Sequence, residues 1–386
     1  MTQLFQPPIC PAGEHIDPTT DGLHPDLLPY VDPPGHLARR VRHPFYWGPL
    51  LNARLNREAS RWYLAARADA EMAATEGRWA DHVRRHEEAF RLEALFRVAD
   101  RMADRDLWRL LAENWTSYGP GKHWRSEVDA LFASDRSGRE AMMGDGERAF
   151  LASLPDPLTL YRGHQGANRR GHSWTLGYGI ARWFSHRHRG SRPGVLRATA
   201  AKADVIAVLL GRRELEVVVV PERLEDVRPV RPLRRPAWAT AVLAEATAAF
   251  RLARDVTDHG PRHWEAVERY VLALADHVAG ADAKVARLFA LLHDVGRAKE
   301  GDDPDHGRRA VDFAEDLYRQ GKLGLSRRQM DALVAACAGH ADGGVTADPT
   351  VGLCWDADRL DLMRLGIVPD PALLSTEAAK DRLFRI

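Results

Sequence analysis

From about Leu50 the apolar positions recur three and four apart, the spacing of helices that bury one face. Between Arg61 and Met102 the chain is rich in Ala, Glu and Arg, and Trp79, Val83, Phe90, Leu95, Phe96 and Val98 mark that stripe. Asp104 is placed to cap a further helix through Trp108, Leu111 and Trp115, which Gly119-Pro120-Gly121 ends; shorter helical pieces follow to Phe150. At Pro155 the period shortens. Leu158 to Arg162, Ser173 to Leu176, Gly194 to Thr199, Val205 to Leu210 and Leu215 to Val220 are β-rich and separated by Gly, Pro or charged breaks. One helix, centred on Ala181, Trp183 and Phe184, interrupts them. After Ala237 the helical period returns and persists.

Composition refines this outline. Residues 1–49 hold ten of the 23 prolines and read as an irregular arm. Arg228 to Pro236 has three prolines and four arginines in nine residues, so it cannot run as a helix interior and predicts an exposed connection between two independently cored units. The expected organisation is an arm at 1–49, a helical prefix plus β-rich domain at 50–227, a linker at 228–236 and an all-α domain at 237–386. With 386 residues, 45% hydrophobic and 28% charged, the chain is long and apolar enough for two or three cores. No stretch approaches the roughly 20 apolar residues of a membrane helix. Met1 to Pro8 lacks the pattern of a secretory signal, and three scattered cysteines support neither disulfides nor a thiolate zinc site, so a reducing cytoplasm is expected. Lys plus Arg exceed Asp plus Glu by 55 − 54 = 1, which points to no partner.

The chemistry gathers in the last third, at His263, the His293-Asp294 pair, His306, His340 and Asp358. Val267 and Val271 follow His263 at i+4 and i+8, and Phe289 lies four before His293, so both imidazoles face inward. Trp355, Leu362 and Leu365 flank Asp358 at helical spacing, which predicts a carboxylate buried among apolar groups, a costly placement unless it is paired or bound to metal. Asp356, about 200° round the helix, faces elsewhere. Imidazole with carboxylate suits Fe, Mn, Zn and similar divalent ions.

His293-Asp294 inside "LLHDVGR" and Asp358 inside "DADRLDL", preceded by His263, resemble the HD-domain metal phosphohydrolases. With His306 ("DPDHGRRA") and His340 ("CAGHADGG") the pattern is similar to their binuclear branch, as in HD-domain diadenosine polyphosphate hydrolases. The resemblance covers roughly Thr257 to Ser375. It implies an all-α HD domain, one or two Fe or Mn ions, and metal-assisted phosphoester hydrolysis. Asp294 would bridge; His263, His293 and Asp358 would complete one metal, His306 and His340 the other. His259 competes as first ligand, and Arg297 and, with less support, Arg359 are candidates to meet phosphate charge.

The β-rich part carries "LYRGH" at Leu160 to His164, "HSWTLG" at His172 to Gly177 and "RRELEVVVV" at Arg212 to Val220. Alternation about Leu215 predicts that Glu214 and Glu216 share one strand face. Between Asp156 and Asp204 there is no acidic residue, but eight arginines and His164, His172, His186 and His188, a bias that attracts an anion. These motifs resemble the arginine–serine–glutamate class of NAD-dependent ADP-ribosyltransferases, though Ser173-Trp174-Thr175 departs from the usual Ser-Thr-Ser. The resemblance implies a small split β-sandwich behind the helical prefix, hence an α+β chain, with NAD as a substrate. Arg162 would hold the NAD phosphates or ribose and Gly163 the nicotinamide amide. Ser173, supported by Thr175, would position the glutamate strand. Glu216 would stabilise the oxocarbenium ion, Glu214 would orient the acceptor, and Phe184 or Tyr178 would stack on nicotinamide.

Together the two resemblances imply a bifunctional nucleotide-handling enzyme with small nucleotides, and a protein or nucleic acid acceptor of ADP-ribose, as partners. The alternatives are an HD phosphohydrolase whose β-rich part only binds or senses a nucleotide, and a nuclease or phosphatase using the Arg/His-rich segment to grip phosphates. Trp174, Tyr178, Trp183 and Phe184 there permit base stacking.

Overall fold

The computed structural model describes residues 18–35, 39–115, 124–166, 168–186, 192–253 and 257–384; Cys10, Gly119-Pro120-Gly121 and His188 lie outside them. The chain divides into two compact units, Met1–Gly144 and Asp145–Ile386.

The first unit is built on helix α1 (Ala53–Thr75), which Asn52 caps by accepting from the Leu55 amide at 3.0 Å. Its buried stripe runs through Leu55, Ala59, Tyr63, Ala66, Ala70 and Ala73. Within the region expected to be an irregular arm, the described residues form regular elements. Pro25–Tyr30 forms a 3-10 helix, and β1 (Arg40–His43) pairs with β2 (Tyr46–Pro49). Leu27, Val41, Tyr46 and Leu50 bury against Ala59 and Tyr63. Prolines disguised this segment because its strands are only four residues long. Helices α2 (Trp79–Arg84), α3 (Arg91–Val98), α4 (Asp104–Glu113) and α5 (Arg125–Ala133) follow; Asp104 is the first residue of α4 rather than its cap, and Trp108 on the helix and Trp115 just past its end are both in the core.

His43 and His86 are buried here, and desolvation lowers each pKa to about 4. The unfolded chain therefore binds more protons between pH 6.5 and 4, and stability falls as the pH drops through that window. Each histidine accounts for on the order of 2–3 kcal/mol. Urea melts of the full chain should lose stability from pH 7 to pH 4.5, and a His43→Phe/His86→Phe variant should lose clearly less. Equal losses would show that other groups govern the acid limb.

The second unit opens with α6 (Asp145–Ser153) and then forms one six-stranded antiparallel sheet. Its strands are β3 (Leu158–Gln165), β4 (Ser173–Thr175), β5 (Pro193–Ala200), β6 (Val205–Leu209), β7 (Glu216–Val219) and β8 (Glu225–Pro229), in the order β6-β7-β4-β3-β5-β8. The expected split sandwich is thus a continuous sheet, although β3 and β4 meet at a single pair, Tyr161↔Thr175, whereas β3 and β5 pair along their whole length. β8 has no sequence signal because every residue in it is exposed, so nothing alternates. Helix α7 (Tyr178–His186) packs on β3 where Gly163 lets the backbones touch; a Cβ there would lie 2.0 Å from the Ala181 carbonyl oxygen.

The helical part comprises α8 (Ala237–Ala249), α9 (Pro261–Leu274), α10 (Ala283–Leu292), α11 (His306–Arg319), α12 (Arg327–Gly339), α13 (Pro349–Leu360) and α14 (Glu377–Arg382). Central α10 buries Val285, Ala286 and every residue from Leu288 to Leu292. The two parts do not have independent cores. Tyr161, Tyr178, Ala181 and Val195 from the sheet and α7 form one buried cluster with Ala266 of α9. The Pro/Arg connection is largely exposed but fastened: Arg269 donates to the Arg231 carbonyl, Arg287 to the Arg234 carbonyl, and Arg235 pairs with buried Glu268. No helix among the described residues is long and apolar enough to cross a membrane.

Candidate metal centre

Helix ends converge on one buried point. His263 stands in the first turn of α9, His293 closes α10 with Asp294 directly after it, His306 opens α11, His340 closes α12, and Asp358 projects from α13. The expected inward facing of His263 and His293 is found: Val267 and Val271 are fully buried, and His293 stacks on Phe289 with centroids 4.8 Å apart. Asp358 departs from expectation. Its side chain is 20% exposed and turned to the histidines, and the helix stops at Leu360, so that Leu362 and Leu365 fall in a 3-10 turn.

Every ring nitrogen has a defined role. The Nδ1 atoms of His263, His293, His306 and His340 lie 2.7, 3.2, 2.5 and 2.8 Å from the Asp361 carboxylate and the Phe289, Asp303 and Cys337 carbonyl oxygens. Those oxygens only accept, so each Nδ1 carries the hydrogen and donates, and each Nε2 presents a lone pair inward. The Nε2 atoms of His263 and His293 are 3.0 Å apart, and those of His306 and His340 are 2.8 Å apart. Lone pairs at such distances repel unless positive charge lies between them.

Asp294 stands between the two pairs. Its Oδ2 is 3.6 Å from His263 Nε2 and 3.7 Å from His293 Nε2, and its Oδ1 is 3.4 Å from His306 Nε2 and 3.7 Å from His340 Nε2. Asp358 Oδ1 joins the first pair at 3.1 and 3.5 Å. The clusters His263–His293–Asp294, His293–His340–Asp358 and Asp294–His306–His340 each bring one ligand atom per residue within 4.8 Å. Atoms about 2.0–2.2 Å from a common ion are roughly 3–3.5 Å from one another, so nitrogen–oxygen sets of this size fit divalent cations.

Burial raises the carboxylate pKa of Asp294 and Asp358, but the surrounding histidines outweigh it and hold both well below the usual range. For His263, burial and Arg364 favour the neutral ring, while hydrogen bonds to Asp358 and Asp361 favour a second proton, on Nε2, and raise the pKa; a bound cation would take the place of that proton. The carboxylate of Asp303, whose main-chain carbonyl accepts from His306, stays at about 2 despite burial because the Ala298 amide and Arg309 bind it.

The competing ligand His259 stands outside these clusters and faces Asp294 Oδ2 at 3.1 Å through Nδ1. Arg297 pairs with Asp294 Oδ1 at 3.2 Å, whereas Arg359 turns away to the Leu373 carbonyl and the Trp355 ring. Asp356 does face away from the centre, yet it is fully buried and accepts from both the Ser375 and Thr376 amides at 2.7 Å. Asp361 was not singled out in the sequence, although it follows Asp358 by three positions, within reach of the same face.

The sheet motifs occupy three adjacent strands, with Tyr161, Thr175 and Glu216 side by side in register. The Arg162 guanidinium donates to the Asn168 carbonyl at 3.0 Å and to the Ser173 carbonyl, and a Cβ on Gly171 would touch it. Thr175 Oγ1 donates to the Glu214 carbonyl at 2.8 Å and so ties Ser173-Trp174-Thr175 to the glutamate segment. Glu214 and Glu216 do not share a strand face: β7 begins at Glu216, and Leu215 has φ 44°, which breaks the alternation. Glu216 is buried, and Glu214 sits in the preceding turn paired with Arg212 at 2.8 Å. Of the stacking candidates, Tyr178 belongs to the core with Arg269 over its ring, and Phe184 lines a cavity against Trp183.

Comparison with known proteins agrees with the helical part. No curated protein and no solved structure matches the chain. Residues 262–363 match the family model of the HD domain, and the histidine–aspartate cluster falls within that span.

Proposed function

We propose that the chain is a metal-dependent phosphoester hydrolase of the HD type whose sheet takes part in binding the substrate. One observation carries the reading: four Nε2 lone pairs, fixed by their Nδ1 partners, face the two oxygens of one buried aspartate. His263, His293 and Asp358 would hold one ion, His306 and His340 a second, and Asp294 both. Such ions polarise a phosphoryl oxygen and make water nucleophilic near neutral pH. The chain's own residues fix the ring tautomers through the Asp361 carboxylate and the Phe289, Asp303 and Cys337 main-chain carbonyls, bury the rings, and hold Asp294 through His259 and Arg297. Protein prepared with Mn or Fe should contain one or two ions per chain and hydrolyse bis-p-nitrophenyl phosphate. EDTA should abolish the activity and Mn should restore it. A chain that retains no ion would overturn the reading.

ADP-ribosyl transfer from NAD is a second reading, favoured by the register that sets the arginine, serine–threonine and glutamate strands side by side. The engagement of Arg162 with the loop carbonyls weighs against it. Under this reading Glu216→Gln should cut nicotinamide release from labelled NAD by a factor of about 100–1,000 while NAD still binds. Glu214→Gln should impair transfer to an acceptor and leave slow NAD hydrolysis. Unchanged release in Glu216→Gln removes the transferase from consideration.

A further inference from the structure

A cavity of about 310 Å³ lies between α7, the turn at Arg212–Glu214 and the helical part, and opens onto His263 of the metal centre. That volume is at the lower end for small-molecule sites. Its cationic lining is Arg182, Arg212, Arg213, Arg262 and Arg364, against the carboxylates of Glu214, Asp258 and Asp361. Arg182 is directed by Glu265 at 3.4 Å and Arg364 by the Asp258 carbonyl at 3.0 Å. Trp183, 47% exposed, and Phe184 form the aromatic wall, with ring centroids 5.0 Å apart and edge-to-face.

The turn is shaped for this position. Arg213 and Leu215 are non-glycine residues in the left-handed region, at φ 58° and 44°. Gly366 accepts the close approach: at φ 70° it lies where a Cβ would be 2.2 Å from the Arg213 carbonyl oxygen. Backbone strain of this kind costs about 1–3 kcal/mol per residue and gathers at ligand clamps.

We infer that this cavity is the substrate pocket of the metal centre and that residues outside the HD-matching span set its specificity. Trp183 and Phe184 stack a planar ring, and Arg213 meets a phosphate bound between the ring and His263. The ligand class is a phosphate ester carrying an aromatic base, of about mononucleotide size. The inference rests on the hydrolase reading for the role of the metal centre, but the binding it describes is measurable without metal.

The test is calorimetry on the full chain, metal-free and Mn-loaded, with AMP, adenosine and inorganic phosphate as probes. Base stacking on an aromatic side chain predicts that Trp183→Ala weakens AMP binding about 5- to 100-fold and leaves phosphate binding unchanged. Arg213→Asn, in which Asn tolerates the left-handed backbone, should weaken AMP and phosphate together. Trp183 is exposed enough for its variant to fold, which a thermal melt checks. If wild-type protein does not bind AMP, or binds it equally well with Trp183→Ala, the inference is overturned, even where metal content and bis-p-nitrophenyl phosphate hydrolysis are intact. AMP binding that depends on Trp183 in a chain with neither metal nor hydrolysis supports the pocket and removes only the hydrolase reading.

Discussion

Asp294→Asn should empty one half of the metal centre and break the link between the two. The carboxylate presents Oδ2 to His263 and His293 and Oδ1 to His306 and His340. An amide has one oxygen, so one pair of Nε2 lone pairs would face an N–H₂ group and that half could hold no cation. Losing an outer partner of a metal ligand costs about 10- to 100-fold in affinity or activity; losing a ligand shared by two sets should exceed 100-fold in hydrolysis and lower the retained metal. Asp361→Asn, which loosens the hold on His263 Nδ1 and the pairing with Arg364, should fall within the 10- to 100-fold range. Asp356→Asn should keep its metal and activity. It should lose about 1–3 kcal/mol of stability, because the N–H₂ of the new amide would oppose one of the two backbone donors, Ser375 or Thr376, that the carboxylate now accepts. Metal analysis after dialysis, with rates on bis-p-nitrophenyl phosphate, orders the three variants. An Asp294→Asn protein that keeps two ions would refute the bridging role.

The metal centre was the most legible part of the sequence because its ligands ride on amphipathic helices. His263 with Val267 and Val271, and His293 above Phe289, share the periodicity of the core they join. Asp361 was obscured because the helix around Asp358 ends at Leu360, so the facing there comes from a 3-10 turn that apolar spacing does not encode. In the sheet, the strands buried on alternate or both faces were readable, and β8, exposed throughout, was not. The left-handed residues Arg213 and Leu215 are not glycine, Asn or Asp, so no residue type announced the turn that separates Glu214 from Glu216. The cavity was beyond sequence reasoning for a different reason. It joins side chains from α7, the turn and α9, and local patterns do not report which distant elements meet.

A fragment that begins at Ala237 should fail to reach a fixed native state, although it contains every proposed metal ligand. The composition of Arg228 to Pro236 suggests a free tether, but its carbonyls and Arg235 are bound by the helical part. Cutting at 237 removes Arg235 and leaves Glu268, a fully buried carboxylate, with Arg287 as its remaining ion-pair partner among the described residues. Breaking a buried pair costs about 3–5 kcal/mol, a large share of the 5–15 kcal/mol that holds a domain. The same cut strips Tyr161, Tyr178, Ala181 and Val195 from Ala266 and opens that face of α9 to water. It also takes Gly179 away from Asp361 and Arg364, which it packs so closely that a Cβ would lie 2.7 Å from Asp361 Oδ1. The histidine partner on α9 thereby loses the wall behind its own hydrogen-bond acceptor. A fragment beginning at Asp145 retains all of these contacts and should melt cooperatively with its metal. Near-ultraviolet circular dichroism and thermal melts of the two fragments decide the matter. Cooperative unfolding of the 237–386 fragment at the same temperature as the longer one would show that the helical part needs nothing from the sheet.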